Sequence, residues 1–111
     1  MWENDLAPFG VELTFGEAGA RIALSGEVDV ATGAALVDAA TSAVSRFPIV
    51  ELDLGAVTSI DSSGLRALVK VKRFTDAYGV LLAVTSVEGA VADLLMTSGI
   101  GDELGMSPSQ L

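Results

Sequence analysis

Hydrophobic and polar residues alternate early in the chain. Phe9, Val11, Leu13 and Phe15 fall on one side of a two-residue period, which predicts a half-buried strand over 9–17. Gly16 and Gly19 bracket a turn, and Ile22 and Leu24 resume the alternation within 21–25, so a hairpin is expected. The period then changes. Leu36, Ala40, Ala43, Val44 and Phe47 recur at helical spacing behind Thr32, a candidate N-cap, and Pro48 stops this first helix. Residues 49–54 read as a strand, and Gly55 opens a loop through Val57, Thr58, Ser59 and Ile60 to Asp61. In a second helix over 63–78, Leu65, Leu68, Val69, Val71, Phe74 and Tyr78 form a wide apolar face, while Arg66, Lys70 and Arg73 align at i, i+4, i+7. Gly79 closes it. Residues 80–84 are an unbroken apolar run suited to a strand covered on both faces, and Val91, Leu94, Leu95 and Ser98 mark a third helix before Gly99.

The order β-β-α-β-α-β-α predicts a single α/β domain over 9–99. Its sheet is mixed and mainly parallel, with an N-terminal hairpin and helices packed against it. Residues 1–8 are read as an N-terminal tail, and 100–111, too poor in apolar residues for another full helix, as a short C-terminal strand or tail.

Composition narrows the function. The length of 111 residues allows one core-bearing domain. Half the residues are hydrophobic, yet apolar runs stay far below the roughly 20 residues of a membrane span. Trp2, Glu3, Asn4 and Asp5 stand where a secretory signal would be basic and then apolar, so a cytoplasmic location is expected. Without Cys or His the chain has no disulfide, no thiolate and no imidazole, which removes the commonest general base and most metal chemistry; no cofactor and no catalytic residue is assigned. A net charge of −9 argues against nucleic acid and for a protein partner. Four of the six cations, Arg66, Lys70, Lys72 and Arg73, nevertheless sit in one short stretch.

Chemistry is most readable in Ile60-Asp61-Ser62-Ser63-Gly64-Leu65, between a strand and a helix. Asp61, Ser62 or Ser63 must supply the N-cap and lie at the surface. A helix N-terminus, with free N–H groups and about half a positive charge, can host a phosphoryl group on a serine placed there. The same residues also serve as a plain capping turn. A receiver domain phosphorylated on Asp53 is disfavoured, because the first strand offers only Glu12 and Glu17, well separated, for Mg²⁺. A nucleotide-binding enzyme is disfavoured because Gly99, Gly101 and Gly105 follow a helix and no lysine closes a phosphate loop.

Taken together in order, Leu24-Ser25-Gly26-Glu27-Val28-Asp29, Leu52-Asp53-Leu54 and Asp61-Ser62-Ser63-Gly64-Leu65 resemble the STAS domain family over about 9–99. More narrowly they resemble bacterial anti-sigma factor antagonists. The resemblance implies phosphorylation of Ser62, with Ser63 the weaker acceptor. It implies a partner surface containing Asp29, Asp61, Ser62, Ser63 and Gly64. Arg66 joins them either as a phosphate partner or, the preferred reading, as part of a solvated face. The implied partners are an anti-sigma factor serine kinase, which supplies ATP and Mg²⁺, and a phosphoserine phosphatase; the protein itself is a monomer or weak dimer. Members usually continue past the third helix into a further strand and helix, so the end at Leu111 is read as shortened. The alternative is an unphosphorylated STAS scaffold in a lipid-transport or signalling assembly.

Overall fold

The computed structural model describes residues 5–7 and 10–105. Five strands, β1 (Asp5–Ala7), β2 (Val11–Phe15), β3 (Ala20–Val28), β4 (Ile49–Ile60) and β5 (Leu81–Thr85), lie side by side in chain order. The helices are α1 (Val30–Val44), α2 (Ser62–Ala77), α3 (Gly89–Ser98) and a single turn, α4 (Ile100–Glu103). The β1/β2 and β2/β3 ladders are antiparallel and the longer β3/β4 and adjoining β4/β5 ladders parallel.

Topology explains which side of the sheet is covered. Successive parallel strands are added in one direction, so right-handed crossovers through α1 and α2 put both helices on the same face. Ile22, Leu24, Val50, Leu52, Leu82 and Val84 point into that layer and meet Leu36, Ala40, Leu68, Val71 and Leu95 in one core. The opposite face carries polar side chains. Arg21 pairs with Glu51 at 3.4 Å and with Asp53, and Thr85 donates a hydrogen bond to Glu51 at 2.9 Å. Asp53 therefore sits mid-strand on the helix-free side, tied to Arg21 and to the Gly55 amide at 2.8 Å, away from the strand ends where a receiver acceptor would be needed.

Several elements depart from the expected ones. Part of the stretch read as a tail forms β1, while residues 1–4, 8 and 9, Trp2 and Phe9 among them, lie outside the described residues. The loop expected after Gly55 is strand, because β4 continues to Ile60 beside β3. Register shifts at Ala23/Ser25 and Gly26/Glu27 break the alternation that would have revealed it. Strand β5 is not covered on both faces: it is the sheet's edge, and Leu81 is 62% exposed. Residues 100–103, expected in a strand or tail, make the helical turn α4; 106–111 lie outside the described residues. Thr32 does not cap α1. Asp29 does, and Thr32 is buried in the first turn with its hydroxyl donating to the Glu27 carbonyl at 3.0 Å.

Candidate functional site

The parallel strands β3 and β4 end level with each other, Val28 opposite Ile60, and each passes directly into a helix cap. Asp29 caps α1, its carboxylate accepting from the Thr32 amide at 3.0 Å. Asp61 caps α2, accepting from the Gly64 amide at 2.9 Å. The Asp61 amide donates to the Val28 carbonyl at 3.1 Å, which stitches the two turns together. Two helix N-termini, each with its partial positive charge, thus share one edge of the domain. The Thr32 amide bond holds the Asp29 carboxyl below its ordinary value near 3.8, against a smaller opposing effect of desolvation.

Gly64 is what allows this closeness. A Cβ there would lie 2.3 Å from the Val28 carbonyl oxygen and 2.8 Å from Ile60 Cγ2, so any side chain would force α2 away from the end of β3. Gly64 is buried. Its place in the site is underneath, permitting the approach.

Ser62 occupies the first helical position of α2 and is exposed, whereas Ser63 is half-buried. Among the described residues neither hydroxyl makes a hydrogen bond. Arg66, one turn on from Ser62, is exposed and makes no ion pair with the described residues. The structure therefore brings Asp29, Asp61, Ser62, Ser63 and Arg66 to one edge, with the carboxylates committed to backbone amides and the Ser62 hydroxyl free. No three carboxylates converge into a metal cluster among the described residues. Such an arrangement can present a hydroxyl to an external phosphoryl donor and can hold the resulting anion at a helix terminus.

Sequence reasoning missed three neighbours of these residues. Val30, immediately after the α1 cap, is 69% exposed. A groove of about 400 Å³ runs between α1 and α2, and another, of about 460 Å³, lies between α2 and α4, where Ile100 and Glu103 face Ser62 and Arg66. Val30 was findable, being off the period set by Leu36 and Ala40; α4 was not, because four residues carry no periodicity.

A family model described as "Mlab, STAS domain" matches residues 11–107. No match is found among curated proteins. Among solved structures, an anti-sigma factor antagonist from Mycobacterium paratuberculosis superposes with a TM-score of 0.72 at 22% identity, covering 92% of this chain and 89% of that one. A sulfate transporter family protein from Wolinella succinogenes gives 0.74 at 17% identity, covering 83% and 75%. Mglu gives 0.66 at 26% identity, covering 76% of this chain and 22% of Mglu, so the chain spans less than a quarter of that protein. At these identities the first two share the fold. No helix of the described residues is long and apolar enough to cross a membrane.

Proposed function

The chain belongs to the STAS domain family, and from that premise we propose that it is an anti-sigma factor antagonist switched by phosphorylation of Ser62. Unphosphorylated, it binds an anti-sigma factor that is also a serine kinase, and a sigma factor is released. The kinase later moves the γ-phosphoryl of Mg-ATP onto Ser62 Oγ. The bond from the γ-phosphorus to its bridging oxygen breaks, the P–Oγ bond forms, ADP leaves, and the hydroxyl proton passes to a base on the kinase. A phosphoserine phosphatase resets the switch in the cytoplasm. The chain supplies no catalysis of its own, holds no cofactor, touches no nucleic acid and works as a monomer or weak dimer.

One observation carries this proposal: Ser62 is exposed, without a hydrogen bond among the described residues, at the N-terminus of α2. Asp29 and Asp61 stand beside it as docking groups. The shared fold with an anti-sigma factor antagonist adds support. A phosphate adds about −1.5 to −2 charges. The helix terminus favours an anion by about 0.3–1 kcal/mol and the Asp61 carboxylate opposes it, so the fold changes little. The same charge pressed into a protein contact must be desolvated, and the cost falls on binding.

Incubation with the anti-sigma factor kinase and Mg-ATP is expected to add one phosphate at Ser62. Ser62→Ala should block it and keep binding. Phosphopeptide mapping that finds Ser63 alone would overturn the assignment. A second function, an unphosphorylated scaffold docking through the same edge, is favoured by the Mlab description of the matching family model and by the fold shared with a sulfate transporter family protein. It would be preferred if a partner binds this edge and no kinase modifies it.

A further inference from the structure

The chain carries six cations against a net charge of −9. Three are engaged internally: Arg21 with Glu51 and Asp53, Arg46 over the Phe15 and Phe47 rings, and Lys72 with Asp76 at 3.1 Å. The other three, Arg66, Lys70 and Arg73, are exposed and make no ion pair with the described residues. At i, i+4 and i+7 on α2 they form one straight cationic ridge about 10 Å long. Dispersal would be the neutral outcome for so few cations. Their alignment on the face that also carries Ser62 concentrates the uncommitted positive charge of an acidic protein in one place.

Beside the ridge lies the α1/α2 groove. Its floor is small, formed by Gly33, Ala34 and Ala67, and a Cβ on Gly33 would come within 3.0 Å of Ala67 Cβ. Val30 and Val37 provide apolar walls, and Val30 is left 69% exposed by the described residues. A floor of small residues lets another backbone come close, and apolar walls reward a side chain laid between them. Arg66 and Lys70 form one rim and Asp38 stands on the other, so the rims have opposite sign. Glu103 lies beyond the ridge, lining the groove toward α4.

Resting on the antagonist function proposed above, we infer that the α1/α2 groove and the Arg66/Lys70/Arg73 ridge dock an acidic amphipathic helix of the anti-sigma factor kinase. Its small apolar side chains lie against Val30, Ala34 and Val37, its carboxylates face the ridge, and its flank toward Asp38 is not acidic. The ridge then fixes the partner's orientation across Ser62 and speeds encounter with an acidic segment that the rest of this surface repels.

The test uses the full chain and the purified kinase that phosphorylates it. The triple variant Arg66→Glu/Lys70→Glu/Arg73→Glu is expected to bind at least about tenfold more weakly, with a flatter dependence of affinity on salt between low and high ionic strength. Lys72→Gln should bind like the parent. Because three reversals could harm α2, the neutral triple variant to Gln is measured alongside and should lose affinity in the same direction with an unchanged melting temperature. Hydrogen exchange on the kinase should protect an acidic amphipathic helix. Unchanged affinity of both triple variants, protection of a segment lacking carboxylates, or a ridge-dependent attachment to phosphatidylglycerol vesicles or to a second copy of this chain would each overturn the inference. A parent that is bound and phosphorylated while both triple variants bind as tightly as the parent removes the ridge and leaves the antagonist function; a parent that neither binds the kinase nor is phosphorylated removes the antagonist function itself.

Discussion

The N-termini of α1 and α2 are built alike and used differently. Each follows a parallel strand, each is capped by an aspartate whose carboxylate takes an amide three residues on, and the two strands end in register. The first turns differ in their hydroxyls. Thr32 in α1 is 3% exposed and donates to the Glu27 carbonyl, so its hydroxyl belongs to the fold. Ser62 in α2 is exposed and its hydroxyl bonds to none of the described residues, so modifying it breaks no bond of the described fold. A hydroxyl at a helix start is thus read by what it bonds to, not by its position alone.

The largest effect expected from this comparison concerns the approach of α2 to β3. Gly64→Ala sets a methyl against backbone and should cost about 3 kcal/mol in urea unfolding, within the upper range for overpacking. Gly33→Ala would place its Cβ 3.0 Å from the Ala67 Cβ and 3.6 Å from the Ser63 carbonyl oxygen, a tight contact that a small shift of α2 relieves, and should cost less, about 1 kcal/mol. Equal losses would mean that the α2 start has slack the geometry does not suggest. Next come the hydroxyls themselves. Thr32→Ala removes a buried hydroxyl and its bond to the Glu27 carbonyl and should destabilise by about 1–2 kcal/mol, whereas Ser62→Ala should stay within about 0.5 kcal/mol. Reversal of that order would break the distinction between the two turns.

Capping follows. Asp61→Ala removes the acceptor for the Gly64 amide and should cost about 1 kcal/mol, while Asp61→Asn keeps most of it. The smallest effect is in the acid limb. Asp29 has its folded pKa depressed by the Thr32 amide bond, so it contributes stability that is full above its unfolded value near 3.8 and is lost as pH falls through the lower folded one. Asp29→Asn should flatten stability against pH in that acidic window, its small loss being present at neutral pH and vanishing in acid, where the parent carboxyl is itself neutral. A loss as large in acid as at pH 7 would show that Asp29 acts through something other than its charge at the cap. Partner affinity is better probed with Asp29→Asn than with Ala, since Ala also removes the cap.

The strong periodicities of 11–15, 20–24 and 62–77 were legible because each element turns one face to a single core. The pairing of Asp29 with the Asp61-Ser62 turn was legible only through the family resemblance carried by Gly26-Glu27-Val28-Asp29 and Asp61-Ser62-Ser63-Gly64-Leu65. What the pattern hid has physical causes. Past Leu54, register shifts against β3 interrupt the pleat, so Gly55, Ala56, Thr58 and Ser59 are exposed between buried Leu54 and Ile60 and no alternation marks the strand. A run such as 80–84 suits a covered strand or an edge equally well until the strand order is known. Asp29 and Thr32 are both good caps, and only the buried Thr32 hydroxyl, satisfied by Glu27, separates them. The grooves beside Ser62 depend on the spacing between helices, which no single helix encodes.

The central claim is that Ser62 is a modifiable hydroxyl whose charge state governs docking without altering the fold. Its most direct test is calorimetric titration of the anti-sigma factor kinase with the unphosphorylated and the Ser62-phosphorylated chain, each checked by thermal unfolding. Binding at least about tenfold weaker is expected for the phosphorylated form, about 1.4 kcal/mol, with melting temperatures that agree within a few degrees. Equal affinities, or a phosphorylated chain that has partly unfolded, would contradict it.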